Sequence, residues 1–179
     1  MKRWLPNALS FQLVWLAAVA GAARGWWWAG PLALAAFAAW QLPLSRGRRA
    51  DLLLMFGTAA IGFAIDTLWV RLELMRFTTP LPSAQLAPVW IVALWMGFAL
   101  TLNHSLATLK RHLWLAAALG LVGGPIAYGV AEGTWAAVEF GRPAWIVLGA
   151  LGLAWAAVTP LLLVVARRLE APPAAALAS

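Results

Sequence analysis

Long apolar runs, interrupted by short basic or proline-bearing segments, repeat along this sequence from one end to the other. Six of them approach the ~20 residues that a helix needs to cross about 30 Å of hydrocarbon. They cover Ala8–Ala23, Trp26–Leu44, Leu52–Val70, Val89–Leu109, Leu113–Ala131 and Ala144–Ala166. The pattern predicts an all-α polytopic membrane protein, a bundle of six transmembrane helices. Residues 1–168 make a single domain on this reading, and residues 169–179 a short disordered cytoplasmic tail. No internal repeat relates two halves of the chain, so the paired-repeat layout of many transporters is not expected.

Composition makes the solvent explicit. The chain is 64% hydrophobic and 11% charged, whereas soluble domains carry roughly a quarter charged residues. Such a chain cannot cover itself with polar groups, and the lipid bilayer becomes its first partner. The absence of cysteine excludes disulfides, thiolate metal sites and cysteine nucleophiles.

Charge then orients the bundle. The net charge of +7 comes from short clusters between the apolar runs and not from one basic face, so nucleic acid is not an expected partner. With the N-terminus inside, Lys2, Arg3, Arg46, Arg48, Arg49, Lys110, Arg111, Arg167 and Arg168 fall in the cytoplasm. Arg24, Arg71, Arg76 and Arg142 fall outside. The positive-inside rule therefore places both termini in the cytoplasm. Tryptophan agrees, because Trp26, Trp27, Trp28, Trp69, Trp90, Trp135 and Trp145 gather near the outer boundary. Trp4, Trp40 and Trp114 gather near the inner one. The first run, with its basic start and Ala20-Gly21-Ala22, also has the form of a cleavable signal peptide, whose removal would leave five spans. Retention is the expectation. The long connection from Arg71 to Pro88 is expected to lie on or dip into the outer interface.

Two ionisable residues sit within the runs, where hydrocarbon makes them costly. Asp66 lies about 21 Å up the third span and His104 roughly 22 Å down the fourth, so topology separates them. At the depth of Asp66 an outer polar cluster is expected from Arg71, Trp95, Tyr128 and Glu132. At the depth of His104 an inner cluster is expected from Gln12, Gln41, Asn103 and Ser105. Thr101, His104, Ser105 and Thr108 share an arc of about 100° on one continuous helix. Either cluster can be helix glue or a binding site. No metal-ligand spacing and no nucleophile-base pair is visible, so neither a metal, a cofactor nor a catalytic residue is expected. In the fifth run Ala116, Gly120, Gly124 and Tyr128 recur every fourth residue, beside Gly123 and Pro125. This permits close helix packing, or a kinked or broken helix lining a cavity.

The segment Pro88-Val-Trp-Ile-Val-Ala-Leu-Trp-Met-Gly-Phe-Ala-Leu-Thr-Leu-Asn-His-Ser-Leu106, with Gly123-Gly-Pro-Ile-Ala-Tyr128 and Asp66, resembles a family of small bacterial membrane proteins. That family is defined as domain of unknown function 2878. The resemblance implies a multi-pass inner-membrane protein, sometimes encoded near enzymes that modify fatty acids or phospholipids. A helper or partner subunit in membrane lipid or fatty-acid modification is the leading expectation, acting with a membrane partner protein or as a homodimer. The alternative is a small-molecule or cation/proton-coupled permease that uses Asp66. An intramembrane enzyme is disfavoured by the missing catalytic pair.

Overall fold

The computed structural model describes residues 4–170. Lys2, Arg3 and the expected tail from residue 171 onward lie outside the described residues. Six α-helices occur in the order α1 (Trp4–Ala23), α2 (Ala29–Leu44), α3 (Arg48–Arg71), α4 (Val89–Leu102), α5 (Leu113–Gly133) and α6 (Ala144–Glu170). A short 3-10 helix, Ala107–Arg111, joins α4 to α5. Strands β1 (Met75–Phe77) and β2 (Val138–Phe140) pair antiparallel, Met75 opposite Phe140. They add a small sheet to the expected all-helical chain and tie the α3–α4 and α5–α6 connections together at one end of the bundle.

Four helices, α1, α3, α5 and α6, are long and apolar enough to cross a membrane. α2 and α4 are apolar but shorter, 16 and 14 residues. α4 is nevertheless the centre of the fold, in contact with α1, α2, α3 and α6. Its buried positions include Trp90, Ile91, Trp95, Ala99 and Leu100. A helix surrounded by helices is apolar on every face, which explains the absence of amphipathic periodicity along it.

The bundle is apolar outside and holds its polar groups inside. Leu13, Phe56 and Leu153 are 66%, 65% and 72% exposed. Asn7, Gln41, Asp51, Thr58, Asp66, Thr101, Lys110 and Thr159 are buried. Water would disfavour that arrangement, whereas lipid favours it, because these polar groups, the Thr58 and Thr159 hydroxyls excepted, then meet a protein partner instead of hydrocarbon. Exposed Trp26, Trp27, Trp28 and Trp145 mark the end that carries the strands, and exposed Trp4, Trp40 and Trp114 mark the opposite end. Trp90 leaves the expected outer belt: it is buried and donates its indole N–H to the Thr78 carbonyl at 3.1 Å.

Several expected boundaries move, α1 beginning at Trp4 and α3 at Arg48, each four residues earlier than expected, and two of the shifts change the reading. The fourth run was expected as helix to Leu109, but α4 stops at Leu102, so Thr101, His104, Ser105 and Thr108 do not form one helical stripe. Asn103, His104 and Ser105 follow in a turn closed by the His104 and Leu106 amides on the Thr101 carbonyl, both side by side at 3.0 and 2.9 Å. Polar side chains with partners elsewhere compete with helix continuation at such a point. At the C-terminus, Leu169 and Glu170 continue α6 and do not begin a tail.

Candidate functional site

At the end of the bundle away from the strands, hydrogen bonds link α1, α2, α3, the α4–α5 connection and α6. Two backbone groups set the direction of the chain. Asn7 donates from Nδ2 to the Leu100 carbonyl at 3.0 Å, and the Ser105 amide donates to Asn7 Oδ1 at 3.2 Å. Asn7 Nδ2 also donates to Gln41 Oε1 at 2.9 Å, which turns Gln41 Nε2 towards His104 Nδ1 at 3.2 Å. His104 Nδ1 therefore accepts, and Nε2 donates to Asp51 Oδ2 at 2.9 Å. Asn103 Nδ2 donates to Asp51 Oδ1 at 2.7 Å. Lys110 Nζ bridges Asn103 Oδ1 and Glu170 Oε2, each at 2.6 Å. Both histidine nitrogens are engaged, so His104 has no free nitrogen with which to act as a base, and the cluster acts as a clasp of helix ends.

Nearer the strands, Asp66 is fully enclosed. Trp95 Nε1 donates to Oδ2 at 2.6 Å, and Tyr128 Oη donates to Oδ1 at 2.5 Å. Gly62, one turn before Asp66, makes room for Trp95: a Cβ there would run into the indole ring. Arg71 and Glu132 do not join the group expected around Asp66. Arg71 is five residues further along α3, about 140° around the helix, and is exposed beside Glu73, Arg76 and Glu139. Glu132 is half-buried, and its backbone carbonyl accepts locally from the Ala136 amide. The Asp66 and Asp51 clusters share no residue. A rise of about 22 Å along α3 separates the two carboxylates.

Between α1 and α5 lies a cleft of about 500 Å³, within the roughly 300–1,000 Å³ usual for small-molecule sites. α4 forms its floor and α6 its back wall, through Trp155 and Thr159. Gln12 on α1 and Leu119, Ile126 and Val130 on α5 line it and are exposed, so it opens sideways between the two helices. Trp95 and Trp155 stack within it, ring centroids 4.5 Å apart, with Phe98 edge-on to Trp155. The fourfold stripe of α5 explains the shape. Ala116, Gly120, Gly124 and Tyr128 are all buried, and side chains at Gly120 or Gly124 would collide with Trp155. Gly123 instead looks into open space, its closest neighbour Leu119 Cδ1 at 3.9 Å from where a Cβ would stand. α5 is continuous through Pro125, so the cleft is lined by an intact helix and not by a broken one.

The family model described as "Protein of unknown function (DUF2878)" matches residues 4–161, nearly the whole described chain. The chain belongs to the DUF2878 family. No curated protein and no solved structure matches it. The part of the chain covered by the DUF2878 match contains the cleft, Asp66 with its two donors, and all of the clasp except Glu170.

Of the expected inner residues in this DUF2878 chain, Gln41, Asn103, His104 and the Ser105 amide enter the clasp. Thr101 bonds its own helix at the Phe98 carbonyl, 2.6 Å away, and Gln12 lies exposed on the cleft rim. Asn7, Asp51, Lys110 and Glu170 were not anticipated. Asp51 stands immediately before the third run, towards the same face of the bundle as the lower part of the fourth, but counting along the runs does not bring it to the depth of His104. Among the described residues, no group of three or more His, Cys, Asp or Glu gathers as a metal site.

Proposed function

We propose that this chain is a six-span protein of a bacterial inner membrane, with both termini cytoplasmic, that holds a lipid chain in the α1–α5 cleft. In that capacity it serves as a non-catalytic partner in membrane lipid or fatty-acid modification. The observation that carries this reading is the sideways-opening apolar cleft in a bundle whose outer surface is itself apolar. A chain from the surrounding lipid reaches such a cleft without leaving hydrocarbon. The short α4 fits the same picture, since the irregular segment after Leu102 rests on protein partners and not on lipid.

Filling the cleft tests the reading. Gly123→Phe places a ring in the open space without touching the α5–α6 seam. The purified variant should unfold within a few degrees of wild type, yet lose most photolabelling by a diazirine-bearing stearoyl phospholipid at residues lining the cleft. Equal labelling of both proteins would reject it.

Orientation is tested separately. Arg46, Arg48, Arg49, Lys110, Arg111, Arg167 and Arg168 lie at the clasp end, whereas Arg24, Arg71, Arg76 and Arg142 lie at the strand end, which supports a cytoplasmic clasp. Reporter fusions after Arg49, Arg111 and Arg168 should read cytoplasm, and fusions within residues 80–88 or 132–142 should read periplasm. A periplasmic C-terminus would sink the six-span arrangement.

A permease is favoured by one observation, the carboxylate of Asp66 enclosed within a span. Against it, both oxygens of Asp66 are already met by Trp95 and Tyr128.

A further inference from the structure

α1 packs against α2 and α4 through the side that carries the buried Asn7, Val14, Ala18 and Gly21. Its opposite side is bare. Leu5, Leu9 and Leu16 there are 48%, 55% and 43% exposed, and Gln12 among them is exposed as well. These four positions are spaced by four, three and four residues, so they fall within an arc of about 60° on the helix surface. That is the spacing of the a and d positions along which two parallel helices pack.

Gln12 separates this face from an ordinary lipid-facing one. Leucine in contact with lipid needs no partner, because lipid tails are as apolar as leucine. An amide does need one. Asn7, further down the same helix, donates to Gln41 and to the Leu100 carbonyl, whereas the Gln12 side chain meets no partner among the described residues. Gln12 lies about 12 Å along α1 from Trp4 and about 17 Å from Ala23, on a helix long and apolar enough to cross a membrane. Its side chain is too short to reach either interface in the way that Lys and Arg do. An amide left unmet at that depth is costly.

The chemistry of the amide says what should cover it. Oε1 accepts and Nε2 donates, so one glutamine is the complement of another. Two copies of the chain inserted in the same direction present Gln12 at the same depth, and a twofold axis along the membrane normal lets each amide donate to the other. The same axis sets Leu5, Leu9 and Leu16 against their own counterparts. Ala8 and Trp15, on the other side of Gln12, line the cleft, so two copies would meet beside the cleft mouth and not within it.

We infer that two copies of this chain associate through the face of α1 formed by Leu5, Leu9, Gln12 and Leu16, with a reciprocal pair of Gln12 amides in it. The inference goes beyond the lipid-holding reading and stands whatever the cleft holds. It needs only the membrane-spanning bundle, which the reporter fusions test on their own.

The chain contains no cysteine, so a single introduced one reports on one position. With the full-length protein in phosphatidylcholine vesicles at a low protein-to-lipid ratio, mild oxidation should crosslink Leu9→Cys and Leu16→Cys into dimers. Leu153→Cys, on the bare face of α6, should stay monomeric. Energy transfer between donor- and acceptor-labelled copies, followed as lipid is added, measures the association itself. Gln12→Leu should weaken it about tenfold, as a pair of hydrogen bonds within the membrane predicts, and Gln12→Asn should keep most of it. Gln12 faces outward, so Gln12→Leu should unfold within a few degrees of wild type. A wild type that is monomeric in vesicles, as a surface for a different protein would leave it, would overturn the inference. Equal crosslinking at Leu153 would do the same, as would undiminished association of Gln12→Leu. Loss of cleft photolabelling in Gln12→Leu without loss of association would show that the amide meets lipid and not a second copy.

Discussion

Asp51→Ala is expected to destabilise the protein by about 2–3 kcal/mol, because it leaves two partly buried donors unmet, each costing on the order of 1 kcal/mol or somewhat more. Asp51 is wholly buried and accepts from both Asn103 and His104. Its loss leaves two half-buried donors with nothing to meet. The damage also spreads, because His104 is the link through which α3 is tied to Gln41 on α2 and onward to Asn7 on α1. In thermal unfolding followed by circular dichroism in detergent, the midpoint should fall by on the order of 10 °C. A double-mutant cycle of Asp51→Ala with His104→Ala should return a coupling energy above about 1 kcal/mol. Additive effects at the two positions would mean that the clasp is not a unit.

The second large effect is expected at Asp66, and there the choice of substitution separates structure from function. Asp66→Ala strips the acceptor from Trp95 and Tyr128 together and should cost about 3 kcal/mol, since each unmet buried donor costs about 1–3 kcal/mol. Asp66→Asn keeps one acceptor oxygen, so it should cost about 1 kcal/mol and leave the fold intact. The indole that Asp66 holds is the one stacked on Trp155 in the cleft. On the lipid-holding reading, Asp66 positions a cleft wall. Asp66→Asn should therefore complement a deletion strain and retain photolabelling, whereas Asp66→Ala should lose both. A folded, inserted Asp66→Asn protein that keeps its photolabelling yet fails to complement would instead favour the permease reading, because the ionisable group has been removed while the cleft wall is kept.

Some of this was legible in the sequence for plain reasons. Asp66, Trp95 and Tyr128 lie at matching depths on three apolar runs, and depth along a helix follows from counting residues. Their meeting needed no more than rotation to the same interior. The same counting separated Asp66 from His104, and their hydrogen-bond partners are indeed disjoint. Arg71 failed because depth alone says nothing about azimuth: five residues beyond Asp66, it points away from the interior.

The sequence by itself determined that the chain consists of apolar helices with its basic residues concentrated between particular runs, because hydrophobicity and charge are properties each residue carries wherever it is placed. Only the tertiary structure decided that α4 ends at Leu102, since the partners that draw Asn103 and His104 out of the helix are Asp51 and Gln41, distant in sequence. Only it decided that Asn7, Asp51, Lys110 and Glu170 complete one hydrogen-bonded chain. The cleft belongs to the tertiary structure as well: Gly120 and Gly124 draw α5 against α6 while Gly123 faces open space, and whether a glycine closes a seam or leaves a gap depends on which helix stands opposite.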